Sequence, residues 1–274
     1  MIVTHAASTP QAGSSVNEGV VADVSYVGVG AGRLALLFAS IAPETQAPDS
    51  PVDDDNVWTL LGQVPGGDPA HVAPTDRLHM SRIAAWWTLL DGTEAGDVTI
   101  TSTPAPNTIT GCMGSYISDT GTWEAPVLVS GNDAAHGAGR AILTGSLDTA
   151  AGDMLVAAWS SDTEVTTAIT APSITQAGAT IEAATLRSRT LNTFGSNSSI
   201  ITADAAVTVG ASAAVAAGFS GGGNNCGPGV VVRLRAASAG PSGPYAYVNV
   251  AGTLVQTTLK GIVRIGSTQH PFGG

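Results

Sequence analysis

The chain is written in short runs, and their lengths restrict the fold more than any motif does. Residues 20–29 alternate, with Val20, Ala22, Val24 and Tyr26 on one face and Asp23 and Ser25 on the other. That period of two marks a half-buried strand. Leu34-Ala35-Leu36-Leu37-Phe38-Ala39 is almost wholly apolar and short, which suits a buried central strand. Similar runs follow at 57–62, 78–90, 98–101, 109–117, 141–147, 154–159, 180–190, 206–209, 213–219 and 230–234. Gly, Asn, Asp, Pro or Ser separates most of them, and these residues favour turns. The segments 42–56, 65–76 and the Gly-rich stretch 221–229 read as loops. Many short strands with turn signals predict an all-β, two-sheet, jelly-roll-like sandwich over residues 20–236.

Composition agrees. Hydrophobic residues make up 43% of the 274 residues, enough for a core. Charged residues are 11% against a usual ~25%, and Lys260 is the only lysine. Thr and Val suit half-buried pleated surfaces. The net charge of −11 and the scattered arginines argue against a nucleic-acid groove, which needs clustered Lys and Arg. Arg187/Arg189 and Arg233/Arg235 alternate as on the outer face of a strand. The first residues lack a basic, then apolar, export signal, and no run nears the ~18 apolar residues of a membrane span. Cytoplasmic synthesis without membrane insertion is the expectation. Two cysteines, Cys112 and Cys226, make no disulfide framework and read as free thiols.

Two internal echoes stand out. Gly32-Arg33-Leu34-Ala35-Leu36-Leu37-Phe38-Ala39-Ser40 resembles Gly152-Asp153-Met154-Leu155-Val156-Ala157-Ala158-Trp159-Ser160, as equivalent strands in two facing sheets would. Near the end, Tyr247-Val248-Asn249-Val250-Ala251-Gly252-Thr253 is echoed by Ile262-Val263-Arg264-Ile265-Gly266-Ser267-Thr268. This second pair follows a Ser/Gly/Pro linker at 237–244. Residues 245–274 therefore read as a small hairpin-like docking segment, with Tyr245, Tyr247, Val250, Ile262 and Ile265 as candidate apolar anchors at an assembly interface. Residues 1–19, rich in Ser, Thr, Pro and Gly, read as an N-terminal arm that orders on assembly.

No catalytic motif competes with this reading. Val27-Gly28-Val29-Gly30-Ala31-Gly32-Arg33 lacks the third Gly and the following helix of a dinucleotide site. G-x-S-x-G and H-E-x-x-H are absent. His71 and His79 flank a loop containing Asp76 at no compact ligand spacing. Asp53-Asp54-Asp55-Asn56 carries oxygens of the kind Ca²⁺ takes, without the EF-hand alternation, and reads as a solvated acidic loop. Nothing selects a pair from the scattered glutamates for glycosidase chemistry. The expectation is a non-enzyme without cofactor, metal or catalytic residues. Of the tryptophans, Trp58, Trp86, Trp87 and Trp159 lie in apolar runs and read as core. Trp123, in Asp119-Thr120-Gly121-Thr122-Trp123-Glu124, is the candidate for surface contact with a ligand or partner.

The run from Arg33-Leu34-Ala35-Leu36-Leu37 through Trp58-Thr59-Leu60-Leu61-Gly62 and Ile83-Ala84-Ala85-Trp86-Trp87 to Ala95-Gly96-Asp97-Val98-Thr99-Ile100-Thr101 resembles the jelly-roll virion proteins of tailed bacteriophages. The final strand-turn pair is similar to repeated units ending many phage minor tail proteins, where Lys is common at the places of Asn249 and Arg264. The resemblance implies a structural virion component, most simply a minor tail protein, with capsid decoration or head fibre as the alternative. It implies other virion proteins as partners, homo-oligomers, assembly in the host cytoplasm and, in some members, contact with a host-surface glycan. A carbohydrate-binding module acting at the host surface is the other alternative.

Overall fold

Strand β3 (Leu34–Ala42) is buried along its whole length, on both faces, as its unbroken apolar run requires. It lies at the centre of a five-stranded antiparallel sheet ordered β1-β7-β3-β5-β4, with β1 (Val3–Ser8), β4 (Thr59–Gly67), β5 (Met80–Leu89) and β7 (Thr108–Ser118). Strand β9 (Met154–Ser161) is likewise buried at every position. It is the central strand of the second sheet, between β13 (Ser199–Val209) and the end of β14 (Ser212–Leu234). Beyond these lie β12 (Thr185–Leu191), paired with β13, and the start of β8 (Val127–Asp148), paired with β14. The computed structural model describes residues 1–8, 21–42, 45–53, 56–68, 80–103, 108–161, 169–191 and 198–238, and the strands from 245 onward by backbone alone.

The two sheets face each other across one core. Leu34, Leu36, Phe38, Ile83, Cys112 and Tyr116 of the first sheet meet Met154, Val156, Ile200, Val230, Val232 and Leu234 of the second. Each sheet is covered again on its outer face. The pair β2 (Val21–Ser25) and β6 (Asp97–Thr101) packs Ala22, Val24, Val98 and Ile100 on the first sheet. On the second sheet, β10 (Ile169–Gln176) and the adjoining stretches of β8 and β14 bury Ile142, Ile174, Val215 and Phe219. Double coverage explains why both central strands are apolar throughout.

Strands β8 and β14 each pass from the inner sheet to the outer layer. Register shifts at 219–224 and 225–227 mark the bend, and Gly139, Gly221 and Gly227 sit there at positive φ (109°, 85° and 141°), a region open chiefly to glycine. The Gly-rich stretch 221–229, expected as a loop, is thus part of a bent strand, and Cys226 is buried in it. Local composition signalled flexible backbone, but the long-range ladder to β8 keeps that backbone paired. The buried Arg140 fastens the bend by donating to the carbonyls of Gly227 and Ser160.

The all-β sandwich expected from the sequence is present. Its strand order differs from a jelly roll, in which successive strands alternate between sheets: here the five-stranded sheet and its covering pair β2–β6 come from residues 3–118, and the other sheet comes from residues 127–234. Turn signals and strand periods do not encode which strands pair, so the order was not readable locally. The expected arm also differs in part, because Val3–Ser8 pairs with β7 as an edge strand of the first sheet, while residues 9–20 lie outside the described residues. Runs 141–147, 213–219 and 230–234 are portions of the two long strands, the run 180–190 divides into β11 (Thr180–Ile181) and β12, and β10 had no counterpart in the reading.

Contacts divide the chain into Met1–Ala237 and Ser238–Gly274. The second unit holds two two-residue hairpins, β15 (Tyr245–Val250) with β16 (Thr253–Thr258), and β17 (Gly261–Ile265) with β18 (Thr268–Phe272). The C-terminal echo is this repeated hairpin. Val250 pairs with Thr253 in one copy and Ile265 with Thr268 in the other.

Candidate functional site

The sandwich has two lateral seams where the edge of one sheet meets the edge of the other. At the first, Asn132 of β8 bridges to β4: its carbonyl accepts from Gly67 N at 2.8 Å and its amide donates to Gly67 O at 3.0 Å. Leu61, Val64, Trp87 and Leu128 fill this side of the core. At the second seam, Ser8 of β1 donates to the carbonyl of Arg187 in β12 at 3.2 Å. Charge takes the place of apolar packing here.

Arg187 Nε donates to Asp204 Oδ1 at 2.8 Å. The Asp204 side chain is 2% exposed, and burial raises its pKa while Arg187 opposes the shift. Tyr116 is buried beside it, and burial first, then the Asp204 charge, pushes its phenol well up. The His5 ring meets Tyr116 edge-on at 5.5 Å. Burial and then Arg187 bring the His5 pKa down to about 4. Cys112 lies nearby, its thiol pushed up to about 12 by burial. Among the described residues, His5 Nε2 and Thr190 Oγ1 are buried without a hydrogen bond. The seam brings titratable groups from four strands together inside the core. Chemically it is a buried ion pair with an uncharged histidine and thiol beside it. The sequence reading missed it, although Asp204, alone between apolar residues in Ala203-Asp204-Ala205, was the available signal.

Trp123, the predicted contact residue, is partly buried against the inter-sheet core. Its indole N–H donates to the carbonyl of Gly32 at 2.9 Å, and its backbone bridges Ala236. The polar end of the ring is engaged within the chain, and the residue clamps the turn that opens β3.

The carboxylate of Asp53 accepts from Tyr26 Oη at 2.7 Å, Trp58 Nε1 at 2.5 Å and the backbone N of Asn56 at 2.5 Å. It pins a loop instead of standing free in solvent; Asp54 and Asp55 lie outside the described residues, as does the His71–His79 loop. Gln176 accepts from Thr149 Oγ1 at 2.6 Å and donates to the carbonyls of Leu147 and Ala213. Among the described residues, no group of three or more His, Cys, Asp or Glu side chains is placed to hold a metal ion.

Arg233 and Arg235 join a partly buried network with Glu124, Asp148 and Asp153. Arg235 holds Asp153 through two 2.8 Å bonds. Neither cysteine forms a disulfide, and both are buried. A shallow cleft of about 470 Å³ lies over β14, edged by Arg140, Ala171, Ser173 and Ser220. The candidate anchors Tyr245, Tyr247 and Val250 stand opposite Thr258, Gln256 and Thr253, and Ile262 and Ile265 opposite Pro271 and Thr268; their side chains lie outside the described ones.

No known protein family, curated protein or solved structure matches the chain.

Proposed function

We propose that this chain is a structural component of a tailed-phage virion, a minor tail protein that displays the sandwich and docks through residues 245–274. The observation that carries the reading is the division of the chain after Ala237 into a large unit with a continuous core and a small unit of two separate two-stranded ladders. A lone two-stranded hairpin is marginal in water, so such a unit gains stability by packing on a partner or adding to a sheet edge. The partner in this reading is another virion protein, met during assembly in the host cytoplasm. Resemblance of the body and of the repeated strand-turn units to phage virion proteins supports the same assignment.

Deletion of residues 237–274 tests it. The truncated protein keeps a folded sandwich and loses incorporation into particles. Incorporation at the full-length level would refute docking through this segment.

A further inference from the structure

The two sheets repeat one another strand for strand. In the first half the order β1-β7-β3-β5-β4 takes strands from residues 3–118. In the second, the start of β8, the end of β14, then β9, β13 and β12 pair in the same antiparallel order. The outer pair β2–β6 corresponds to the remaining parts of β8 and β14, with Val24 opposite Val98 in one half and buried Thr144 at hydrogen-bonding distance from Val215 in the other.

Fine details repeat too. Gly32 N donates to Leu90 O and Leu90 N to Arg33 O; Gly152 N donates to Val207 O and Val207 N to Asp153 O, all within 2.8–2.9 Å. Asp119 N donates to Ile2 O, and Ala237 N to Thr122 O. A bulge falls between Leu60 and Gly62 in β4 and between Leu186 and Ser188 in β12. In these registers Asp204, opposite Thr185, holds the place of Trp87, opposite Thr59.

The halves also meet reciprocally. Ser40 and Ser160, the matching serines of the sequence echo, touch at 2.6 Å. Val3 N donates to Gly152 O at 2.9 Å, and Trp123 Nε1 donates to Gly32 O at 2.9 Å. Like meets like at one point, and equivalent positions, Val3 and Trp123, reach equivalent carbonyls around it, one by its backbone and the other by its side chain; this is the pattern of an isologous two-fold interface.

We propose that the unit Met1–Ala237 is a fused two-fold dimer: residues 1–119 and 122–237 are two copies of one half-sandwich, joined by Thr120-Gly121, and the inter-sheet core is a self-recognition surface whose partner is a second copy of the same half. One lateral seam has stayed apolar, at Leu61 and Trp87. Its counterpart has become charged, at Arg187 and Asp204. Because the two-fold makes residues 119 and 237 equivalent, and likewise 2 and 122, the halves can exchange places in the chain.

The test is a swapped chain that keeps the C-terminal unit: an initiating Met, residues 122–237, a Thr-Gly link copied from 120–121, residues 2–119, then 238–274. Each junction copies a natural one. A control carries the same swap with a flexible Gly/Ser link of about 15 residues. The swapped chain is expected to fold with the natural unfolding free energy to within the ~10–15% uncertainty of urea extrapolation, and to protect the Gly32 and Gly152 amides from hydrogen exchange. Folding only with the long link would show that the junctions are not equivalent and overturn the two-fold. Failure of both swapped chains, with the natural order folding, would overturn the interchangeability of the halves.

Discussion

Replacing Arg187 by Leu puts the charged seam to the test. Arg187 is the ion-pair partner of a carboxylate that is 2% exposed. Removing one partner of a buried pair costs about 3–5 kcal/mol, because the remaining charge is left uncompensated. The Arg187 side chain is 27% exposed, which places the loss near the lower bound, about 3 kcal/mol. At roughly 2–4 °C per kcal/mol for a unit of this size, the midpoint falls by about 6–12 °C at pH 7. The pH dependence fixes the cause. Burial already raises the Asp204 pKa in the folded protein, and loss of Arg187 raises it further. A folded-state carboxyl above its unfolded value stabilises on protonation, so the deficit of the variant shrinks as the pH falls through that raised value. The double variant Arg187→Leu/Asp204→Leu recovers most of the loss, as apolar replacement of a buried pair often does, because the matching seam already packs Leu61 and Trp87 on the core. Urea and thermal unfolding of the three proteins at pH 7 and pH 5 provide the assay. A single variant that loses under about 1 kcal/mol, the size of an exposed pair, or a double variant no better than the single one, would refute the account of the seam.

His5→Gln flattens the acid limb of the stability curve. The folded pKa of about 4 lies below the ordinary histidine value of 6.5, so the stability His5 contributes is present above pH 6.5 and lost as the pH falls through 4. Partial exposure reduces the effect to roughly 1–2 kcal/mol; a variant that loses stability between pH 6.5 and 4 as steeply as the natural protein contradicts it. Trp123→Phe keeps the ring packing and loses the bond to Gly32, for about 1 kcal/mol in denaturant titration, and an unchanged midpoint would mean the clamp carries no energy. Asp53→Asn weakens three hydrogen bonds to a charged acceptor, each worth about 1.5–3 kcal/mol when intact, and lowers the melting temperature; millimolar Ca²⁺ leaves the natural protein's melting temperature unchanged, whereas a rise that grows with calcium concentration would indicate a bound ion.

Strand content was legible where side-chain period reports burial. The buried Ala22 and Val24 fell on the predicted face, and the apolar runs of β3 and β9 announced strands buried on both sides. The echo of Gly32–Ser40 in Gly152–Ser160 located the two central strands before any pairing was known. Pairing order was not legible, because hydrogen bonds between β1 and β7, or β14 and β9, join residues far apart in sequence. The bent strands hid for a related reason: Gly221 and Gly227 look like loop residues, and only the partner strand β8 shows that they remain in a ladder. Only Asp204, set between Ala203 and Ala205, hinted at the charged seam, because His5, Tyr116, Arg187 and Asp204 come from four strands and none stands beside another in the chain. Trp123 looked exposed in its polar neighbourhood, since neither the core behind it nor the Gly32 carbonyl is nearby in sequence.

Lys260 is the only lysine in the chain and lies within the segment proposed to dock. An amine-reactive cross-linker therefore reports on that segment and on the N-terminus alone. Cross-linking mass spectrometry of purified particles measures the docking claim directly. The account predicts links from Lys260 to a different virion protein. Particles that contain the chain and yield Lys260 links only to its own sandwich would contradict it.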